Sequence, residues 1–205
     1  VEWLVLIQER SSLHERATPM SLYEFVTVMV SMILALCLGH VLRSASFLAK
    51  TERDVRFYLP HSLWLVEILL AVVNHWWSLW DLRDVEWSYA SFVYILAAPI
   101  LVTLATGLLS PTQGGSKPLD LQSHYERIRR LFSAVMVAYT LFMWFDGPLF
   151  AGQAVFGPVG SLHVPIAAAS LVPALTKSYR ANVLAPSTII AALLLVMILR
   201  WSSTI

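Results

Sequence analysis

The amino-acid sequence predicts an all-α integral membrane protein, a bundle of six helices that cross a lipid bilayer. Hydrophobic residues make up 58% of the 205 residues and charged residues 13%, whereas soluble proteins average about 45–50% and about 25%. A soluble fold of this size has too little interior for so much apolar surface, but a bilayer can cover it. The apolar residues also fall in runs of about 20, the length that crosses the hydrocarbon as a helix.

These runs are continuous rather than alternating, which favours helices over a β-barrel, the other fold that satisfies its backbone in lipid. The predicted spans are residues 22–46, 61–80, 88–109, 131–150, 161–178 and 183–201. In the first span no charge stands between Glu24 and Arg43. The second follows Pro60 and contains Glu67, and the third is uncharged with Pro99 at its centre.

The last three spans are interrupted by proline. The fourth begins after Arg130 and is predicted to break near residues 146–148, Asp-Gly-Pro. The fifth is the weakest, because it contains Pro165 and Pro173. The sixth has Pro186 near its first turn, where proline is tolerated. The sequence therefore predicts six spans, with five as the alternative.

The segment before Met20 is interpreted separately from a single transmembrane domain over residues 20–205. Its apolar run Trp3–Ile7 is too short to span. The segment has no basic start and no small-residue cleavage site, so we do not predict a signal peptide. We interpret residues 1–19 as an upstream extension of the reading frame or as a short interfacial helix.

The positions of lysine and arginine predict the orientation. Ten lie near the links after spans one, three and five: Arg43, Lys50, Arg53, Arg56, Lys117, Arg127, Arg129, Arg130, Lys177 and Arg180. Four lie on the other side: Arg10, Arg16, Arg83 and Arg200. Because cytoplasmic links carry the excess of positive charge, both termini are predicted on the non-cytoplasmic side. Arg127, Arg129 and Arg130 are expected to contact anionic lipid headgroups.

No catalytic motif is present, so the sequence favours a protein that is not an enzyme. The net charge of +1 gives no basic excess for nucleic acid. The expected partners are the lipid bilayer and other membrane protein subunits. Polar residues inside spans are then the functional candidates, because they are costly in hydrocarbon.

The intramembrane polar candidates are Glu67, Asn74, His75 and His40. Asn74 follows Glu67 by seven residues, which places both on nearly the same helix face. One interpretation is a carboxyl group that handles a proton, a cation or a ligand. The alternative is a neutral or paired carboxyl group that fixes helix packing.

Four histidines, His40, His61, His75 and His163, suggest a further hypothesis. His40 opposite His61 and His163 opposite His75 would ligate two haem b groups stacked across the membrane. The alternatives are interfacial histidines bonded to carbonyls or water, or a metal site.

Several short strings resemble small bacterial inner-membrane proteins of a family without an assigned activity. They are Tyr23-Glu24-Phe25, residues 38–43 (LGHVLR), residues 58–64 (YLPHSLW) and residues 75–83 (HWWSLWDLR). The resemblance covers roughly residues 20–110 and implies a multi-pass protein of the bacterial cytoplasmic membrane.

Three functional hypotheses follow. The first is an accessory subunit of a membrane complex or a module that binds a small ligand. The second is a small transporter or an ion- or proton-translocating protein built on Glu67, Asn74 and His75. The third is a haem-binding electron carrier.

Overall fold

The computed structural model describes residues 20–50, 55–111, 119–150 and 152–203. Within these residues it has six α-helices: α1 (Leu22–Lys50), α2 (Leu59–Ser78), α3 (Tyr89–Leu109), α4 (Leu121–Phe150), α5 (His163–Leu175) and α6 (Tyr179–Ser203). Short 3₁₀ helices at Leu79–Leu82 and Gly160–Leu162 follow α2 and precede α5. The helical class is confirmed. Five of the helices, all except α5, are long and apolar enough to cross a membrane. The interpretation of residues 1–19 lies outside the described part of the chain.

Helix α2 lies at the centre of the bundle and contacts α1, α3, α4 and α6. The outer helices pack in pairs, α3 on α1 and α4, and α5 on α4 and α6. Successive helices reverse direction, so the bundle has two ends. We call them the Asp146 end, where α2 and α4 finish, and the Tyr125 end, where those two helices begin.

Local sequence accounts for the helix starts. Ser88 forms a capping box with Ser91: each side chain accepts from the other residue's backbone N–H, at 3.2 and 2.8 Å. Pro60 occupies the first turn of α2, where no backbone N–H is needed. Asp120 accepts hydrogen bonds from the N–H groups of Gln122 and Ser123 and from the Ser123 hydroxyl. These bonds lower the pKa of Asp120 below its usual value, and the bond from the Ser123 hydroxyl has the largest effect.

Two parallel two-residue strands join the links at the Tyr125 end. They are β1 (Val55–Arg56) and β2 (Leu119–Asp120), with Val55 opposite Leu119 and Arg56 opposite Asp120. The Arg56 guanidinium lies 3.9 Å from the Asp120 carboxylate. This pairing ties the chain before α2 to the chain before α4.

Helix α4 differs from its predicted span at its start and at the predicted break near residues 146–148. It begins at Leu121, ten residues before the predicted start at 131, because its first turns are amphipathic and bury Leu121 and Tyr125. It also continues through Pro148 to Phe150, where a break was predicted. Proline removes one backbone donor, and the following link folds back here: the Gln153 N–H donates to the Gly147 carbonyl at 3.2 Å.

Helix α5 has 13 residues, yet it runs beside most of α4. The ring of His163, at its start, stacks on Trp144 of α4 with centroids 6.1 Å apart. Near its end, the Pro173 carbonyl accepts a hydrogen bond from Arg129 of α4. Trp144 and Arg129 are 15 residues apart, roughly 22 Å along a helix. The length of α5 therefore follows the bundle from one end towards the other.

Candidate functional site

Glu67 is the buried charge-bearing residue at the centre of the bundle. It is the ninth residue of the 20-residue helix α2, and 2% of it is exposed. Its Oε2 atom has no hydrogen-bond partner in the described part of the chain. The carboxyl group lies within electrostatic range of the Tyr139 hydroxyl and the Cys37 thiol. A carboxyl group in such surroundings is stable only if a proton or a cation neutralises it.

Polar side chains continue from Glu67 towards the Asp146 end. The Tyr139 hydroxyl is 3.5 Å from the Ala71 carbonyl, one turn beyond Glu67. The Tyr139 ring stacks on His75, with centroids 6.2 Å apart and an interplanar angle of 17°. His75 is buried, and its Nδ1 atom has no partner within the described residues. Together these residues form a polar line along α2 and α4.

Two small cavities lie at the end of this line. One, of about 10 Å³, is bounded by His75, Ser78, Tyr94 and Asp146 among others. The second, of about 40 Å³, shares Ser78 and Asp146 with the first and also reaches Asn74. A cavity needs about 10–15 Å³ to hold one water molecule. The two cavities together therefore accommodate a few waters. The polar line and the cavities form the candidate site.

The other side of Glu67 is closed by large side chains. Trp64 is fully buried one turn before Glu67, and its indole meets Phe132 edge-on with centroids 5.0 Å apart. The Trp64 Nε1–H donates to the Tyr125 hydroxyl at 3.2 Å, and that hydroxyl donates to Asn182 Oδ1 at 2.8 Å. The site is therefore polar towards the Asp146 end and sealed towards the Tyr125 end.

Two histidines cap the end of α3 at the Tyr125 end. The Nε2 atoms of His61 and His124 lie 2.8 and 3.1 Å from the carbonyls of Leu109 and Leu108, respectively. Their rings meet edge-on with centroids 6.2 Å apart. Carbonyls at a helix C-terminus have no partner within the helix, so these contacts satisfy them.

The histidines of the haem hypothesis have other ring neighbours. His61 contacts His124, His75 stacks on Tyr139, and His163 stacks on Trp144. His40 lines a groove between α1 and α3 at the Tyr125 end. In the described residues, no three His, Cys, Asp or Glu side chains are grouped to hold a metal ion.

The three arginines expected at lipid headgroups have different surroundings. Arg127 and Arg130 are exposed, whereas Arg129 is 7% exposed. Its Nη1 donates to the carbonyls of Pro173, Ala174 and Thr176. The guanidinium of Arg129 is thus bonded to the end of α5.

Sequence reasoning identified Glu67, Asn74 and His75 but missed Tyr139, Tyr125 and Asn182. Tyr139 and Tyr125 lie on the buried face of α4, whose members repeat every three or four residues: Leu121, Tyr125, Arg129, Phe132, Met136, Tyr139 and Met143. That spacing is readable from the sequence and is typical of a helix face in a core. For Asn182 the sequence offered a weaker signal, which is only that a polar residue stands in the first turn of an apolar helix.

The fold and the site define a class: an all-α bundle with five helices able to cross a membrane and a central carboxyl group whose Oε2 atom has no hydrogen-bond partner among the described residues. No protein-family model, no curated protein and no solved structure matches this chain. Any function therefore has to be argued from the site.

Proposed function

We propose that the chain is a membrane protein that translocates protons, with the Glu67 carboxyl group as the group that binds and releases the proton. The supporting observation is Glu67 itself, which is 2% exposed in the middle of the central helix with Oε2 unpartnered among the described residues. Intramembrane carboxyl groups of this kind mark ion and proton pathways.

The size of the cavities favours a proton over an organic ligand. Sites for small organic molecules occupy about 300–1,000 Å³, whereas the cavities beside His75 and Asn74 measure about 10 and 40 Å³. A metal cation such as Ca²⁺ takes 6–8 oxygen ligands. A proton needs one acceptor at a time, which Glu67 supplies.

The asymmetry of the site suggests how passage is controlled. Waters in the two cavities and the His75–Tyr139 pair would connect Glu67 with the Asp146 end. Trp64 and Phe132 separate it from the Tyr125 end. Proton release to that end then requires the Trp64–Phe132 contact to open, so the two ends are connected to Glu67 in turn.

We also propose that all six helices cross the bilayer and that the Asp146 end faces away from the cytoplasm. The course of α5 along α4, from His163 to Pro173, supports a sixth crossing. The ten-to-four distribution of lysine and arginine supports the orientation. The resemblance to small bacterial proteins supports the bacterial cytoplasmic membrane. A haem-binding electron carrier remains a prediction without a specific contact in its favour.

The proposal is tested by proton flux into liposomes that contain the purified full-length chain. With a potassium gradient and valinomycin to supply a membrane potential, the wild-type protein should acidify or alkalinise the lumen faster than empty liposomes. Glu67→Gln keeps the shape of the side chain but holds no exchangeable carboxyl proton. This variant should reduce the flux to that of empty liposomes.

Glu86→Gln is the matched control, because Glu86 is exposed in the link between α2 and α3. It should retain wild-type flux. Equal flux for wild type and Glu67→Gln would rule the proposal out. Co-purification with a fixed partner and no flux from the wild-type chain would instead favour an accessory subunit.

A further inference from the structure

We propose that a groove between α1 and α3 binds the phosphate of an anionic phospholipid at the Tyr125 end. The groove has a volume of about 350 Å³. Its lining residues include His40, Arg43, Ser44, Phe47, Gly107 and Ser110. This inference is independent of Glu67 and of proton translocation.

The charge in the groove is positive. Arg43 is exposed, and it makes no ion pair or hydrogen bond with any residue that the structure describes. Its planar guanidinium offers paired N–H donors that match phosphate oxygens. His40 precedes it by three residues and therefore lies on the same helix face. An anion is the ligand that complements this pair.

The floor of the groove is fixed and leaves room for a ligand. The hydroxyls of Ser44 and Ser110 are 2.9 Å apart, and Ser110 donates to the Thr106 carbonyl at 2.9 Å. This chain of hydrogen bonds joins α1 to the end of α3. A Cβ atom built on Gly107 would meet no atom within 4 Å, so there is open space beside this residue.

The surface beside the groove identifies the anion as a lipid rather than free phosphate. Leu36 precedes His40 by one turn on α1 and is 64% exposed. Leu104 and Ile100 precede Gly107 by one and two turns on α3 and are 55% and 45% exposed. An acyl chain would lie on this apolar surface while its phosphate occupies the groove. Free phosphate has no acyl chain that could contact this apolar surface.

The depth of the groove agrees with a headgroup site. Ser110 directly follows the last residue of α3, a helix of 21 residues without a charged side chain. Such a helix ends near the boundary of the hydrocarbon. Arg43 on α1 lines the groove together with Ser110 and therefore lies beside this boundary.

Native mass spectrometry of the full-length chain in detergent tests the proposal. The probes are phosphatidylglycerol, phosphatidylcholine with the same acyl chains, and inorganic phosphate as a competitor. Wild-type protein should retain phosphatidylglycerol in preference to phosphatidylcholine. Arg43→Gln should weaken this binding by about tenfold, the loss expected for one charge-assisted phosphate contact.

Two further variants separate a built site from general attraction. Gly107→Leu should also weaken binding, because it fills the groove without changing any charge. Arg180→Gln removes an exposed charge in the first turn of α6, at the same end of the bundle, and should leave binding unchanged. Thermal unfolding establishes that each variant is folded.

Three outcomes would overturn the inference. One is equal binding of the two lipids, and another is equal loss from Arg43→Gln and Arg180→Gln. The third is displacement of the lipid by inorganic phosphate at similar concentration, which would identify a phosphate site without a role for the acyl chains.

Discussion

Tyr125 connects three helices through one hydroxyl group. Tyr125 belongs to α4. Its hydroxyl accepts a hydrogen bond from the indole N–H of Trp64 in α2 and donates one to the amide oxygen of Asn182 in α6. Asn182 in turn donates to the carbonyls of Thr176 and Ser178 in the link between α5 and α6. Because all three side chains are buried, each bond replaces one that water would otherwise provide.

Tyr125→Phe is therefore expected to destabilise the protein by about 1–3 kcal/mol, since it leaves two buried polar groups without a partner. The free energy of unfolding in mixed micelles measures this. Tyr179→Phe is the control, because Tyr179 is 52% exposed, and surface changes usually stay within about 0.5 kcal/mol. Equal stability of Tyr125→Phe and wild type would contradict the role of this network.

At the scale of residues, the sequence was informative where a charge interrupts an apolar run. Glu67 was identified in this way. Tyr125 was not, because it stands in the charged stretch before the predicted fourth span, among residues that look solvated. Its burial depends on α2 and α6 packing against α4, and hydropathy carries no information on which helices are neighbours.

At the scale of elements, α5 is held by one buried arginine. Arg129 donates to three carbonyls around the end of α5, and the Ser133 hydroxyl donates to the Ser170 carbonyl one turn further along. The contacts of Arg129 satisfy carbonyls at the end of α5 that have no partner within the helix. They also fix a short helix with two prolines against α4.

Arg129→Gln should destabilise the protein by about 2–3 kcal/mol, because hydrogen bonds to charged groups contribute about 1.5–3 kcal/mol. The loss should be concentrated in α5, where hydrogen exchange of residues 166–175 should become faster. Arg130→Gln, the exposed neighbour, should change neither the stability nor the exchange. Uniform faster exchange across all helices would contradict a specific role in holding α5.

The elements themselves could be predicted to different extents. The third span, 88–109, nearly coincides with α3, because a capping box and apolar residues define it locally. The start of α4 was placed ten residues late, since its first turns are helical through amphipathic packing rather than through hydropathy. Pro148 was read as a helix break, but one missing backbone donor did not end the helix.

At the scale of the whole molecule, the proposal that all six helices cross the bilayer predicts which side of the membrane each link faces. Cys37 is the only cysteine of the chain and is buried, so single added cysteines can be labelled selectively. Ser161→Cys and Lys177→Cys flank α5 at exposed positions. In oriented vesicles a membrane-impermeant maleimide should label the two from opposite sides.

Glu86→Cys supplies the reference for the Asp146 end and should behave as Ser161→Cys does. Labelling of Ser161→Cys and Lys177→Cys from one side would show that α5 enters and leaves at the same face. The bundle would then have five crossings. Hydropathy alone left this choice open, because α5 has 13 residues and its two prolines interrupt the predicted run.

The central claim is that Glu67 gains and loses a proton within the bundle. Infrared difference spectroscopy of the reconstituted protein, recorded as the bulk pH is changed, measures this directly through the carbonyl stretch of a protonated carboxyl group. We predict a pH-dependent band in the wild-type protein that is absent from Glu67→Gln and retained in Glu86→Gln. The exposed carboxyl groups contribute bands to every spectrum, so identical carboxyl bands in the wild type and Glu67→Gln would contradict proton binding by Glu67.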